Sequence, residues 1–171
     1  MKTLILIRHA KAGTGDHGVP DLQRPLTDRG KKNILSMGEY LSGSSLNIGH
    51  FYTSPAERAL STARGMAPYL GFKKKQILID PALYTFNSDD LLLWLRELPK
   101  NQQGVILTGH NPALTDLINF LAVKDLEKLP TCGIAVLKLS VKKWQDIVSG
   151  SASLTELMYP KKLEEQATGT A

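Results

Sequence analysis

The sequence predicts an α/β fold, a three-layer sandwich in which helices flank a mostly parallel central sheet. Two observations carry this expectation. Continuous apolar runs, the pattern of strands buried on both faces, recur at residues 4–7 and 104–108. Strand and helix patterns then alternate through the first two thirds of the chain, the order that parallel strands with crossover helices require.

The elements follow in order. The first strand, 4–7, reads Leu-Ile-Leu-Ile and stops at Arg8-His9. Residues 11–25 are rich in Gly, Asp and Pro and form a loop. Thr27 caps a helix to about residue 42, which carries Ile34, Leu35, Met37, Gly38 and Leu41. A short break at 42–45 leads to a strand at 50–53. Ser54-Pro55 starts a helix to about Leu70, with proline in its first turn and Gly71 as its stop. A third strand spans 76–79. Asp89-Asp90 opens a helix over 91–98, at the end where the dipole favours acids. Strand 104–108 repeats the opening theme, runs into Gly109-His110-Asn111-Pro112, and is followed by a helix over 112–122. Residues 134–140, 144–148 and 154–158 are expected as late, antiparallel strands. One domain is expected over 1–160, with 161–171 a polar, mobile C-terminal tail.

A chain of 171 residues, 42% hydrophobic, can bury one sizeable core. The lone Cys132 permits no intrachain disulfide and no thiolate-rich zinc site; it is expected as a small core residue. No apolar run is long enough to span a bilayer, and the N-terminal stretch is too brief for a signal peptide, so a cytoplasmic protein is expected. The net charge of +5 is scattered in lysine groups at 31–32, 73–75, 142–143 and 161–162. No aromatic residues interleave with them as a stacking platform, so neither nucleic acid nor membrane is expected as a partner. His17 and His50 have no ligand-spaced partners, and neither metal nor cofactor is expected.

In open α/β sheets, ligands sit at the carboxyl ends of the strands. Arg8-His9, Ser54-Pro55 and Gly109-His110 are all placed there. Arg58, one turn into the helix after Ser54, points back toward the same edge, and Arg24 folds over it from the loop. Arginines and histidines around one point suit a phosphoryl dianion. A neutral imidazole is also a competent phosphoryl nucleophile, and nearby cations keep it unprotonated. A second histidine, protonated, donates to a phosphoryl oxygen. No Gly-rich loop ending in Lys-Ser/Thr is present, which argues against a P-loop kinase or ATPase.

The motifs "LIRHAKAG", "DLQRPLTDRG" (21–30), "YTSPAERALSTA" (52–63), "VILTGHNPAL" (105–114) and "LPTCGIAVLKL" (129–139) resemble, in order, those of the histidine phosphatase superfamily and of its short SixA-type phosphohistidine phosphatase branch. The resemblance covers residues 3 to about 148 and implies a phosphoglycerate-mutase-like fold. It implies His9 as a nucleophile that becomes phosphohistidine. Arg8, Arg58 and His110 would line the phosphate pocket, with Arg24 assisting and the Asn111 backbone N–H donating. Ser54 would shape the turn rather than react.

One position departs from the pattern. Where many relatives carry a glutamate general acid, this chain has Thr85 after Leu83-Tyr84. An alkoxide needs that proton; an imidazole leaves without it. The expected substrate is therefore a phosphohistidine on a signalling or phosphotransfer protein, with inorganic phosphate as product and no metal required. The alternative is a small-molecule phosphate ester, with Asp16, Asp21, Asp89 or Asp90 as substitute acid. Remoter readings are a phosphoglycerate-type mutase and a non-catalytic phosphate-binding module.

Overall fold

The computed structural model describes residues 1–15 and 18–169. Asp16, His17 and the last two residues lie outside the described residues. Six strands form one sheet: β1 (Lys2–Arg8), β2 (His50–Thr53), β3 (Ile77–Ile79), β4 (Gly104–Gly109), β5 (Ile134–Leu139) and β6 (Ala152–Met158), in the order β3-β2-β4-β1-β5-β6. The first four are mutually parallel, and β5 and β6 complete the sheet antiparallel. Among the described residues the α-helices are α1 (Asp28–Ser42), α2 (Glu57–Met66), α3 (Ser88–Arg96), α4 (Ala113–Ala122) and α5 (Pro160–Ala167).

Alternation along β1 builds both cores. Leu4 and Leu6 point into a cluster with Leu91, Leu95, Leu114, Leu117 and Leu121 of α3 and α4. Ile5 and Ile7 point the other way, into Ile34, Met37 and Leu41 of α1 and Ala63 and Met66 of α2. The same division holds on β4, with Val105 and Leu107 on one face and Ile106 on the other. A strand buried on both faces needs apolar residues at every position, which is why the runs read as unbroken.

Local chemistry sets the joints. Thr27 caps α1 as expected, its hydroxyl accepting from the Gly30 N–H at 3.0 Å. Gly71, at φ 79°, stops the 3₁₀ turn that prolongs α2.

Three sequence expectations are corrected. Residues 144–148 are not a strand: Trp144–Asp146 is a 3₁₀ turn. Its buried residues, Trp144 and Ile147, are spaced by three, and the indole N–H donates to the Gln102 carbonyl at 2.7 Å. The segment from 161 is not wholly tail, because Pro160 starts α5 and Leu163 packs into the α1 side of the core. Pro55 lies before α2 rather than in its first turn; Ala56 is the N-cap. No helix among the described residues is long and apolar enough to cross a membrane.

Candidate active site

The carboxyl ends of β1, β2 and β4 bring Arg8-His9, Ser54 and His110 together, because these three strands are adjacent and parallel. The His9 and His110 rings lie 5.4 Å apart between centroids. His9 is 8% exposed, His110 1% and Arg58 2%, so the site is cut into the sheet edge.

The tautomer of His9 follows from its neighbour. Nδ1 lies 2.8 Å from the Ala10 carbonyl oxygen, which can only accept, so Nδ1 carries the hydrogen and Nε2 keeps a free lone pair. Burial, reinforced by Arg58, Arg8 and Arg24, lowers the His9 pKa to about 4 against the Ala10 hydrogen bond, which raises it. That influence also puts Arg24 within electrostatic reach of His9. The Ala10 N–H donates to Thr62 Oγ1 at 2.9 Å, and the Thr62 hydroxyl donates to the Arg58 carbonyl at 2.7 Å. The spacing of Arg58 and Thr62, one helical turn, thus ties α2 to the backbone beside His9.

His110 Nε2 stands 2.8 Å from Ser54 Oγ, which itself accepts from the Ala56 N–H at 3.2 Å. With the hydroxyl hydrogen directed at Nε2, His110 carries its own proton on Nδ1, a buried atom without a protein partner. Burial and the Arg58 charge push His110 down to about 3. The expectation of a protonated second histidine is therefore corrected for the free site. His110 is a neutral donor through Nδ1, because the arginines already supply the positive charge.

Each arginine is oriented from behind. Arg8 Nη1 donates to the Leu129 carbonyl at 3.0 Å. Arg58 donates to both the carbonyl and the carboxylate of Asp21, at 2.7 and 3.0 Å. Arg24 Nε lies 3.4 Å from the same carboxylate. The Nε atoms of Arg8, Arg24 and Arg58 and Nδ1 of His110 are buried without a hydrogen-bond partner among the described residues. Unpaired buried donors are costly, and donors of these two kinds suit an anionic oxygen ligand.

Among the described residues, Asp21 is the carboxylate hydrogen-bonded into this network. Tyr84 donates to it at 2.5 Å, and that bond with Arg58 holds its pKa below the usual carboxylate range; the Tyr84 hydroxyl is raised in turn. Asn111 enters through its side chain, which donates to the Leu129 carbonyl at 2.8 Å and accepts from Thr115. Thr85 donates to Asp90 at 2.6 Å, and Asp89 sits at the start of α3 capped by Asn87. His50 begins β2, at the opposite edge of the sheet. Sequence reasoning missed Tyr84, Phe86 and the Leu129 carbonyl. Both aromatic rings pack 5.5 Å from His110, and no polar spacing marks them. Cys132 is buried, its thiol pushed up to about 12, and its N–H donates to the His9 carbonyl at 3.1 Å.

Residues 4–91 match the histidine phosphatase superfamily (branch 1). Among solved structures, the chain is similar to a candidate phosphohistidine phosphatase SixA from Nakamurella multipartitia, at 26% identity and TM-score 0.74 over 93% of this chain and 96% of that one. It shares its fold with the protein histidine phosphatase SixA complexed with tungstate, at 22% identity and TM-score 0.78 over 94% and 99%. A mycobacterial glucosyl-3-phosphoglycerate phosphatase also shares the fold, at 13% identity and TM-score 0.65 over 91% and 98%. The chain belongs to the histidine phosphatase superfamily, branch 1, with a fold of the SixA type.

Proposed function

We propose that this phosphatase hydrolyses a phosphohistidine on a signalling or phosphotransfer protein through a covalent phospho-His9 intermediate. One observation carries the choice of substrate. Asp21, the carboxylate in the network, is held ionised by Tyr84 and Arg58 and has no proton to give. A leaving alkoxide would find Asp21 unable to protonate it; a leaving imidazole needs no such acid.

In the first step the His9 Nε2 lone pair attacks phosphorus and the P–N bond to the substrate histidine breaks. That ring takes the electron pair and leaves as neutral imidazole when its other nitrogen is protonated. Arg8, Arg58 and His110 Nδ1–H hold the equatorial oxygens as charge shifts among them, with Arg24 and the Asn111 backbone N–H assisting. In the second step water attacks phospho-His9, the new P–N bond breaks, and the electron pair returns to Nε2. The Ala10 carbonyl keeps the Nδ1 hydrogen throughout, so His9 also departs as neutral imidazole. Phosphate carries away the water's oxygen with both of its protons, leaving as dihydrogen phosphate.

The test is release of acid-labile phosphate from a phosphohistidine-bearing phosphotransfer protein, run beside simple phosphate esters. Release from the protein, lost in His9→Ala, is expected. Faster hydrolysis of esters would replace this reading with a small-molecule phosphatase in which Asp90, through Thr85, merits study as the acid. Turnover retained in His9→Ala would exclude the covalent step.

A further inference from the structure

Beside the site, a hollow of about 330 Å³ is lined by Lys11, Arg29, Asn33, Thr131, Tyr159 and Lys161, together with two prolines. It holds three cations and no acid. Among the described residues, no Asp or Glu forms an ion pair with Lys11, Arg29 or Lys161. Three like charges around one concavity repel one another, and a concave wall concentrates their field on whatever enters.

The hollow is built from separately anchored segments. The Lys11 carbonyl accepts from both the N–H and the hydroxyl of Thr27, at 2.9 and 3.1 Å. Arg29 and Asn33 lie one turn apart on α1, and Tyr159 leads into α5, whose second residue is Lys161. It is also continuous with the catalytic edge. Lys11 is two residues from His9, and Thr131 is two residues from Leu129, whose carbonyl orients Arg8.

We propose that this hollow receives an acidic segment of the phosphoprotein substrate, flanking its phosphohistidine. The proposal rests on the protein-substrate reading above. Carboxylates would meet the three cations, while Asn33, Thr131 and Tyr159 offer neutral hydrogen bonds to the segment's backbone. The three cations are gathered in one pocket rather than strung along a groove, which favours a short acidic segment over a nucleic-acid strand.

The test uses two synthetic phosphohistidine peptides, one flanked on both sides by Glu and one by Gln, with phosphoramidate as a small control. Wild type is expected to favour the Glu peptide by about tenfold in kcat/KM, through KM, the scale of a few exposed ion pairs. That preference should shrink in high salt. It should vanish in the doubly substituted Arg29→Gln, Lys161→Gln variant, with phosphoramidate turnover retained. Equal use of both peptides by wild type would overturn the proposal alone, as would a preference that survives in the variant. Equal losses on peptide and phosphoramidate would also overturn it, because they would mean damage to the site. Ester hydrolysis with no release from either peptide would overturn the protein-substrate reading and this proposal together.

Discussion

Ser54 looks from the sequence like a turn residue, and its hydroxyl does cap the Ala56 N–H. The same oxygen also contacts His110 Nε2, giving it a second role. Without that partner, nothing in the site selects which His110 nitrogen carries the proton. Ser54→Ala is expected to lower kcat about fivefold, the rate equivalent of a neutral hydrogen bond of ~1 kcal/mol. It should also shift the His110 ring ¹⁵N resonances from a pure Nδ1–H pattern toward a tautomer mixture. A variant that slows turnover yet keeps the wild-type ring shifts would reduce Ser54 to a turn residue. At this scale the sequence was most legible where chemistry and backbone coincide: a histidine or arginine at a strand end announces itself. The Leu129 carbonyl could not, because every residue has one.

Among the elements, the motif glycines acquire a reason. Gly30 closes the "DLQRPLTDRG" segment, and a Cβ there would stand 2.3 Å from the Lys11 carbonyl oxygen. α1 therefore abuts the backbone that follows His9, and only glycine permits the approach. Gly30→Ala is expected to cost about 1–3 kcal/mol of stability, the range for overpacking a tight contact. Because Lys11 must shift, kcat should fall as well, whereas a conservative change on the exposed face of α1, such as Lys32→Arg, should alter neither. Chemical denaturation alongside single-turnover kinetics separates the two effects; unchanged values in both would mean the contact is slack. Strands β1 and β4 were readable because burial on both faces leaves an unmistakable apolar run. The stretch 144–148 was misread because Trp144 and Ile147 are as compatible with a turn as with a strand until the indole finds Gln102. Helix α5 was misread because a single apolar contact, Leu163, docks an otherwise polar segment, and composition weighs one residue lightly.

For the whole molecule, the fold must hold two neutral imidazoles out of water beside three arginines. His9 and His110 titrate at about 4 and about 3 in the native protein, against 6.5 for an exposed histidine. Between pH ~6.5 and ~4 the unfolded chain binds protons that the native one does not. Unfolding free energy therefore rises with pH across that window and levels off above it, with a slope of up to ~1.4 kcal/mol per pH unit for each histidine. Asp21 acts in a lower window: its depressed carboxyl contributes stability above pH ~3.8 that is lost only as pH falls further. The urea midpoint is thus expected to drop markedly between pH 7 and pH 5, before any carboxylate in the site is protonated. The His9→Asn, His110→Asn double variant should lose most of that dependence. A wild-type midpoint that is flat over the interval would mean that both rings charge freely in the native state. His9 would then be largely protonated near pH 5, and the proposed attack by its Nε2 would be confined to higher pH. A steep dependence instead links the cost of burying the pair to their readiness to react, since the field that opposes protonation keeps the Nε2 lone pair available.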